Sequence, residues 1–369
     1  MILRIEDLQN ACGKILAAVD SNALSTLTET LQLKTKERVL YVSVTNREYF
    51  AQVKINMNED VDFYATVNAD VFLKLISQVT TDTIELTVAD TSLVVKANGT
   101  YKLPLIFDGS NLLELPEIVI DNPTTSFEID SNSLLSMIYY NSKELVKEKI
   151  TNPLQKLYYM DEQGAVTFTS GACVNDFKLE KPVKVLLNDR LVKLFKLFKG
   201  EKVKFTLGYD AISEEIIQTK VRFEASDVVI TAILSCDDTM LRSFPVAAVR
   251  GRANASYPYT VNINRENLIQ TINRMLLFTR DLTQASGTFE FKSDSVIIYD
   301  NKKENKEELF YTNTTCQMDD NYVALIDLKD LKNVLETCTD QYVSIQFGDS
   351  LAIVITRGNV KNVIPECQL

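Results

Sequence analysis

Histidine is absent from the chain. That removes the commonest general base and the commonest metal ligand. The six cysteines, Cys12, Cys173, Cys236, Cys316, Cys338 and Cys367, contain no C-x-x-C pair. Their scatter argues against a zinc site or a disulfide framework and for free thiols in a reducing compartment. No apolar run is long enough for a membrane span, and no signal-peptide pattern follows Met1. A cytoplasmic protein is expected. Also missing are a P-loop, a G-x-G-x-x-G after a strand, a G-x-S-x-G elbow and any cluster of metal ligands. A non-enzymatic protein without cofactor or metal is the expectation.

What is present is apolar mass and acid. The 369 residues are 46% hydrophobic, enough for two or three domains with real cores. The net charge of −11 repels nucleic acid, so any contact with it requires a segregated basic surface.

The chain repeats itself. Asn188–Lys199 reads as an amphipathic helix with Leu191, Leu194, Phe195 and Phe198 on one stripe, followed by Gly200 and a strand, Lys202–Leu207. Asn68–Thr80 leads in the same way into Thr83–Val88, and Asp327–Thr339 into Tyr342–Phe347. Phe72 and Leu191 are 119 positions apart, as are Ile84 and Val203; Leu191 and Leu331 are 140 apart, as are Val203 and Val343. A second helix precedes each of these, with stripes Leu8/Cys12/Ile15/Val19, Leu134/Ile138/Leu145 and Leu268/Ile272/Met275/Thr279. Strand-like leads at Leu3, Ile129 and Ile263 come before them. The expected fold is α+β, with three repeated domains, each of two helices packed on antiparallel sheets. Breaks at Asp121–Pro123 and Gly251–Pro258 read as linkers and divide the chain into 1–121, 122–253 and 254–369.

Opposite the apolar stripes the helices carry basic residues. These are Lys14, Lys74, Lys143, Lys147, the set Arg190, Lys193, Lys196 and Lys199, then Arg274, Arg280 and Lys332. Glu144, Asp281 and Glu336 lie on the same helices, so the tilt is strong only in the fourth. A solvated face is the ordinary explanation of one such helix. Six in an acidic chain point to one shared surface.

This pattern resembles the bacterial-type DNA polymerase processivity factor, the beta sliding clamp, over essentially the whole chain. Thr169-Ser-Gly171 with Val174 is similar to the family's T-D-G turn and following apolar position, Phe244-Pro245 to its Phe-Pro element, and Ile364–Leu369 to its apolar-Pro tail. Ala172 and Cys173 depart from the basic residues usual after that turn, and the tail is one residue longer after Ile364.

The resemblance implies a ring, formed as a head-to-tail homodimer, that encircles duplex DNA without reading its sequence. Elementary geometry agrees. Helices about 10 Å apart close a six-membered ring only about 20 Å across, whereas twelve leave a bore of about 28 Å, room for hydrated DNA. Few phosphate contacts keep binding weak and sliding possible. Lys149 joins Lys147 as an auxiliary phosphate contact.

The resemblance also implies a groove that receives short apolar peptides from the DNA polymerase and the clamp loader. Its matching residues are Leu154, Thr169, Gly171, Val174, Pro245, Leu351, Ile364, Pro365 and Leu369; the alternative makes Leu154, Val174 and Leu351 plain core. Leu277 and Phe278 fall roughly 160° and 100° away from Thr279 on the core stripe. They are expected at the dimer seam against Tyr101 and Leu103 of the other subunit, unless Phe278 caps its own core. The competing reading is a three-domain protein-interaction or structural oligomer that never encircles DNA.

Overall fold

The structure, a computed structural model, describes residues 1–19, 25–142, 152–211, 217–234, 237–279, 285–312 and 316–367. One motif, a short lead strand, a helix and a three-stranded meander, occurs six times. The first copy is β1 (Ile2–Arg4), α1 (Ile5–Ile15), β2 (Thr30–Lys36), β3 (Val39–Thr45) and β4 (Tyr49–Asn56). The second is β5 (Tyr64–Asn68), α2 (Ala69–Ser77), β6 (Thr83–Ala89), β7 (Ser92–Lys96) and β8 (Thr100–Pro104). The third is β9 (Pro123–Asp130), α3 (Ser131–Ser136), β10 (Leu157–Asp161), β11 (Gly164–Phe168) and β12 (Ala172–Asp176). The fourth is β13 (Lys184–Asn188), α4 (Asp189–Lys193), β14 (Lys202–Ala211), β15 (Ile217–Glu224) and β16 (Val228–Leu234).

Two helices absent from the sequence reading follow, α5 (Asp238–Ser243) and α6 (Val246–Ala253). The fifth copy is β17 (Tyr259–Asn264), α7 (Arg265–Leu277), β18 (Ser286–Phe291), β19 (Ser295–Tyr299) and β20 (Lys306–Phe310). The sixth is β21 (Tyr322–Asp327), α8 (Leu328–Glu336), β22 (Tyr342–Phe347), β23 (Ala352–Arg357) and β24 (Val360–Pro365).

Neighbouring copies exchange their lead strands: β1 pairs with β6 and β5 with β2, and the same crossing joins β9 to β14, β13 to β10, β17 to β22 and β21 to β18. Each copy thus needs its neighbour to complete a four-stranded sheet. Two such sheets fuse through β16 and β4, giving the order β9-β14-β15-β16-β4-β3-β2-β5. Two more fuse through β12 and β24, giving β13-β10-β11-β12-β24-β23-β22-β17. The sheets β1-β6-β7-β8 and β20-β19-β18-β21 stay four-stranded.

The chain packs as two compact units, Met1–Asn132 with Arg190–Asp237, and Ser133–Asp189 with Asp238–Leu369. Each holds one eight-stranded and one four-stranded sheet.

Local chemistry sets the helix ends. The side chains of Asn68, Asn264 and Asp327 each accept a backbone N–H from the first turn of α2, α7 and α8, and so satisfy donors that the helix leaves open. The expected Asn188–Lys199 helix is α-helical only to Lys193 and tightens to 3-10 over Leu194–Phe198. With three residues per turn, Phe195 and Phe198 eclipse and enter one core, where their rings lie 4.7 and 6.5 Å from Phe223. Gly200 closes the turn at φ +82°, a conformation that costs glycine little.

Two expectations need correction, and one buried polar residue lies off the expected stripe. After α3 the chain widens into a π-turn, Met137–Asn141, so Met137 and Asn141 are buried while Ile138 is only half-buried; Leu145 lies outside the described residues. The turn delivers Asn141 to a buried polar network, donating to Thr167 Oγ1 (3.3 Å) and accepting from Asn175 Nδ2 (3.1 Å). On α7, Thr271 is fully buried although polar; its hydroxyl donates to Glu307 at 3.0 Å. Finally, Gly251–Ala253 belong to α6 rather than to a linker. Ion pairs secure this helix: Arg250 donates to both carboxylate oxygens of buried Asp161 at 2.6 Å, and Arg252 pairs with Asp349.

Phe223 is fully buried among Phe195, Phe198 and Phe205. Phe223→Ala is expected to lower unfolding stability by about 3–5 kcal/mol, measured by urea denaturation, with the helical circular-dichroism signal retained.

Candidate nucleic-acid and partner interfaces

The basic residues differ in what already holds them. Lys14 on α1 pairs with Asp227 (2.5 Å), Lys74 with Asp70 on its own helix (2.8 Å) and Lys332 with Glu336 (3.7 Å). Arg274 forms two 2.6 Å bonds to Glu307 on β20. In the fourth helix Arg190, Lys193, Lys196 and Lys199 are all exposed. Lys196 and Lys199 have no ion-pair partner among the described residues. Lys143, Lys147, Lys149 and Arg280 lie outside the described residues.

In the first unit, α1 and the 3-10 half of the fourth helix border a groove of about 1190 Å³. Lys14, Lys54, Lys196 and Lys199 line it, together with Glu201 and Asp227. Lys54 sits on a strand, so helical periodicity could not reveal it. Glu201 is fixed by Ser226, whose backbone N–H (3.0 Å) and hydroxyl (2.7 Å) both donate to it.

The partner-site candidates collect at one end of the β11–β12 hairpin in the second unit. Thr169 N–H donates to Gly171 O (2.8 Å), and Gln155 Nε2 donates to Thr169 O (3.1 Å), bringing half-buried Leu154 alongside. Strand β24 is bonded to β12 from Ala172↔Val363 onward, which carries Ile364 and Pro365 to the same end. Pro365 pairs with Ala352, and Glu366 N–H donates to Leu351 O (2.9 Å). Phe244, just before Pro245, is buried against Tyr159 and Phe168, with ring centroids 5.2 and 5.1 Å away.

The burial of these residues is uneven. Leu351 is 57% exposed, whereas Val174 (0%) and Ile364 (2%) are core side chains that support the site from beneath. Leu369 lies outside the described residues. The sequence reading missed the clasp on the tail. Tyr322 OH donates to Glu366 (2.5 Å), and Cys367 N–H donates to Leu325 O (2.7 Å), crossing from one sheet to the next.

Leu277 and Phe278 are 55% and 53% exposed, so Phe278 does not cap its own core. Tyr101 is half-exposed, while Leu103, two residues on along the same face of β8, is buried at 7%. In the unpartnered chain Leu103 is therefore the inner end of an apolar row, and Tyr101 its open end.

This architecture, six lead-strand–helix–meander copies sharing fused sheets, defines the clamp class of α+β fold. Solved structures of DNA polymerase III subunit beta share it: Pseudomonas aeruginosa (TM-score 0.80, 13% identity, all of both chains), Streptococcus pneumoniae (0.80, 14%, all of this chain and 99% of that one) and Thermotoga maritima (0.79, 14%, the same coverage). The chain thus has the beta sliding clamp fold. Curated beta sliding clamps of Mycoplasmopsis pulmonis (29% identity over 146 residues) and Helicobacter pylori J99 (28% over 131) are similar to 39% and 35% of this chain. Those alignments span 36% and 34% of the relatives' own lengths, about a third. No family model matches. No described helix is long and apolar enough to cross a membrane.

Arg274 holds the Glu307 carboxyl below its ordinary value, with Thr271 assisting against partial burial. A depressed folded pKa contributes stability above the unfolded value, and that stability is lost as pH falls through the folded one. Glu307→Gln should therefore flatten the decline in urea midpoint below about pH 4.5. An unchanged acid limb would show that the pair contributes nothing to stability.

Proposed function

We propose that the chain is a sliding clamp, a non-enzymatic ring that encircles duplex DNA and tethers a DNA polymerase for processive synthesis. One observation carries this reading. The last strand of an odd-numbered copy pairs with the last strand of an even-numbered copy: β4 with β16, and β12 with β24. Under that rule β20 and β8 remain, and both are sheet edges here. Unpaired edges of this kind seek a strand. Pairing β20 of one copy with β8 of a second closes both edges twice, as a head-to-tail dimer. The copies then group by twos into the domains 1–121, 122–253 and 254–369.

At this seam the inward row of β8, Tyr101 and Leu103, would meet Leu277 and Phe278 beside β20. Leu103 is already buried in its own chain, so the gain comes from Tyr101, Leu277 and Phe278; fully burying such a side chain contributes about 1.5–3 kcal/mol, and symmetry counts it twice. Exposed Lys102 would also find carboxylates on β20, where Glu308 is exposed. In the ring, Lys196 and Lys199 of the fourth helix would present their charge to the DNA, with no ion-pair partner among the described residues, whereas Lys14, Lys74, Arg274 and Lys332 are already paired. Activity is confined to wherever the DNA is, consistent with a cytoplasmic location.

Leu277→Lys with Phe278→Lys should give folded single chains by sedimentation that no longer stay on nicked circular DNA. The parent protein should remain on circles through a salt wash and leave when they are linearised. Lys196→Glu with Lys199→Glu should keep the dimer but shorten retention. Equal retention on circles and linear DNA would exclude encirclement.

The polymerase and loader would dock through short apolar peptides at the end of the β11–β12 hairpin, around Leu154, Thr169, Gly171, Pro245, Leu351 and Pro365. Because Glu366 and Cys367 brace two sheets, removing Pro365–Leu369 would disturb the fold along with the groove. Leu351→Asp is the cleaner test, and it should weaken an apolar pentapeptide at least about tenfold, near 1.4 kcal/mol, in fluorescence anisotropy. Unchanged affinity would move the groove elsewhere.

A further inference from the structure

In the first unit, the face of the eight-stranded sheet turned away from α1 and α2 is polar: Gln32, Lys34 and Lys36 alternate along β2 with buried Leu31 and Leu33. The chain after β8 lies across this face. Glu114 pairs with Lys34 (3.1 Å), and Leu115 is buried with its N–H donating to Gln32 Oε1 (3.0 Å). Tyr64 OH donates to Leu113 O (2.8 Å), and Lys220 Nζ donates to Val119 O (2.7 Å). The surface therefore already holds one extended segment by three means: a carboxylate on a lysine, an apolar side chain in a socket, and side-chain bonds to backbone.

Beside that segment a cleft of about 600 Å³ is open, with Lys36, Tyr41, Gln52, Lys54, Arg222 and Val229 on the sheet side. The size is that of a ligand pocket. Its cations outrun its acids. Lys54 (2.9 Å) and Arg222 (3.1 Å) share the one carboxylate of Glu224, which they hold below its ordinary pKa against partial burial. Lys36 is exposed with no ion-pair partner among the described residues, and Arg222 Nε is shielded from solvent without an acceptor.

We propose that this cleft is a second docking groove, which takes an extended acidic-and-apolar segment of a partner protein alongside Leu113–Val119. Side chains on one face of an extended chain recur about every 6.6 Å. A segment of the form Glu-x-Leu-x-Glu presents both types on that one face, and can set carboxylates on Lys36 and Arg222 with a leucine resting on Tyr41 and Val229. A phosphodiester is the poorer fit, since Glu114 and Glu117 line the cleft and Glu224 backs it. The site lies in the other compact unit from the β11–β12 hairpin and does not depend on the clamp reading.

The test titrates intact protein into fluorescein-labelled Glu-Ser-Leu-Ser-Glu, Lys-Ser-Leu-Ser-Lys and ten-nucleotide oligothymidine, read by anisotropy. The acidic peptide should bind saturably, weaken at least about tenfold with Lys36→Glu, and be unaffected by Leu351→Asp. Lys36 is exposed with no ion-pair partner among the described residues, so its replacement leaves the fold intact; Arg222→Gln is a second variant expected to weaken binding. No saturable binding, equal binding of the basic peptide, indifference to both variants, or stronger binding of oligothymidine would each overturn the proposal.

Discussion

A strand at the edge of a sheet must find a partner, and that requirement organises this molecule. A three-stranded meander leaves an open edge on each outer strand. Exchange of lead strands between neighbouring copies supplies the fourth strand, and it is why the copies come in pairs. Fusion at β16·β4 and β12·β24 then removes edges from four of the six sheets. At the first fusion the registered pairs include Val53↔Val228, Ala51↔Ile230 and Tyr49↔Ala232, so the core runs through the junction without interruption. The lone chain leaves the outer edges of β8 and β20 open. In the proposed ring that unsatisfied chemistry drives the assembly.

Electrostatics divide the work differently from what a count of basic residues suggests. Exposed ion pairs such as Lys74–Asp70 contribute little to stability, but they halve the charge a lysine can present to a phosphate. In the proposed ring, weak and diffuse attraction would suit movement along DNA, because topology rather than affinity would retain it. The strongly paired groups, Arg250 with Asp161 and Arg274 with Glu307, belong to the structural frame.

Periodicity made the repeat legible. The stripes at Leu8, Phe72, Leu191, Leu268 and Leu331 are core, and the strand after each second helix begins at the residue expected, Thr83, Lys202 and Tyr342. What escaped has specific causes. Helix α6 carries no apolar stripe, because Arg250 and Arg252 anchor it through carboxylates distant in sequence. The π-turn at Met137 answers to Asn141 and its partners on β11 and β12, which no local pattern encodes. Lead-strand exchange and edge fusion are long-range pairings between strands that look alike in composition. At the candidate sites the exposed pair Leu277 and Phe278 could be read from helical phase alone. The neutralising partners of Lys14 and Arg274, Asp227 and Glu307, lie on other elements and could not.

The central claim is that β8 and β20 pair with one another between two chains. Hydrogen exchange at the backbone amides of Thr100–Leu103 and Lys306–Phe310, followed against protein concentration, addresses it most directly. The account predicts that amides facing away from β7 and β19 become protected together as concentration rises, at the concentration where the sedimenting mass doubles. Rapid exchange along both edges in a particle of doubled mass would contradict it, because the two chains would then be joined through some other surface.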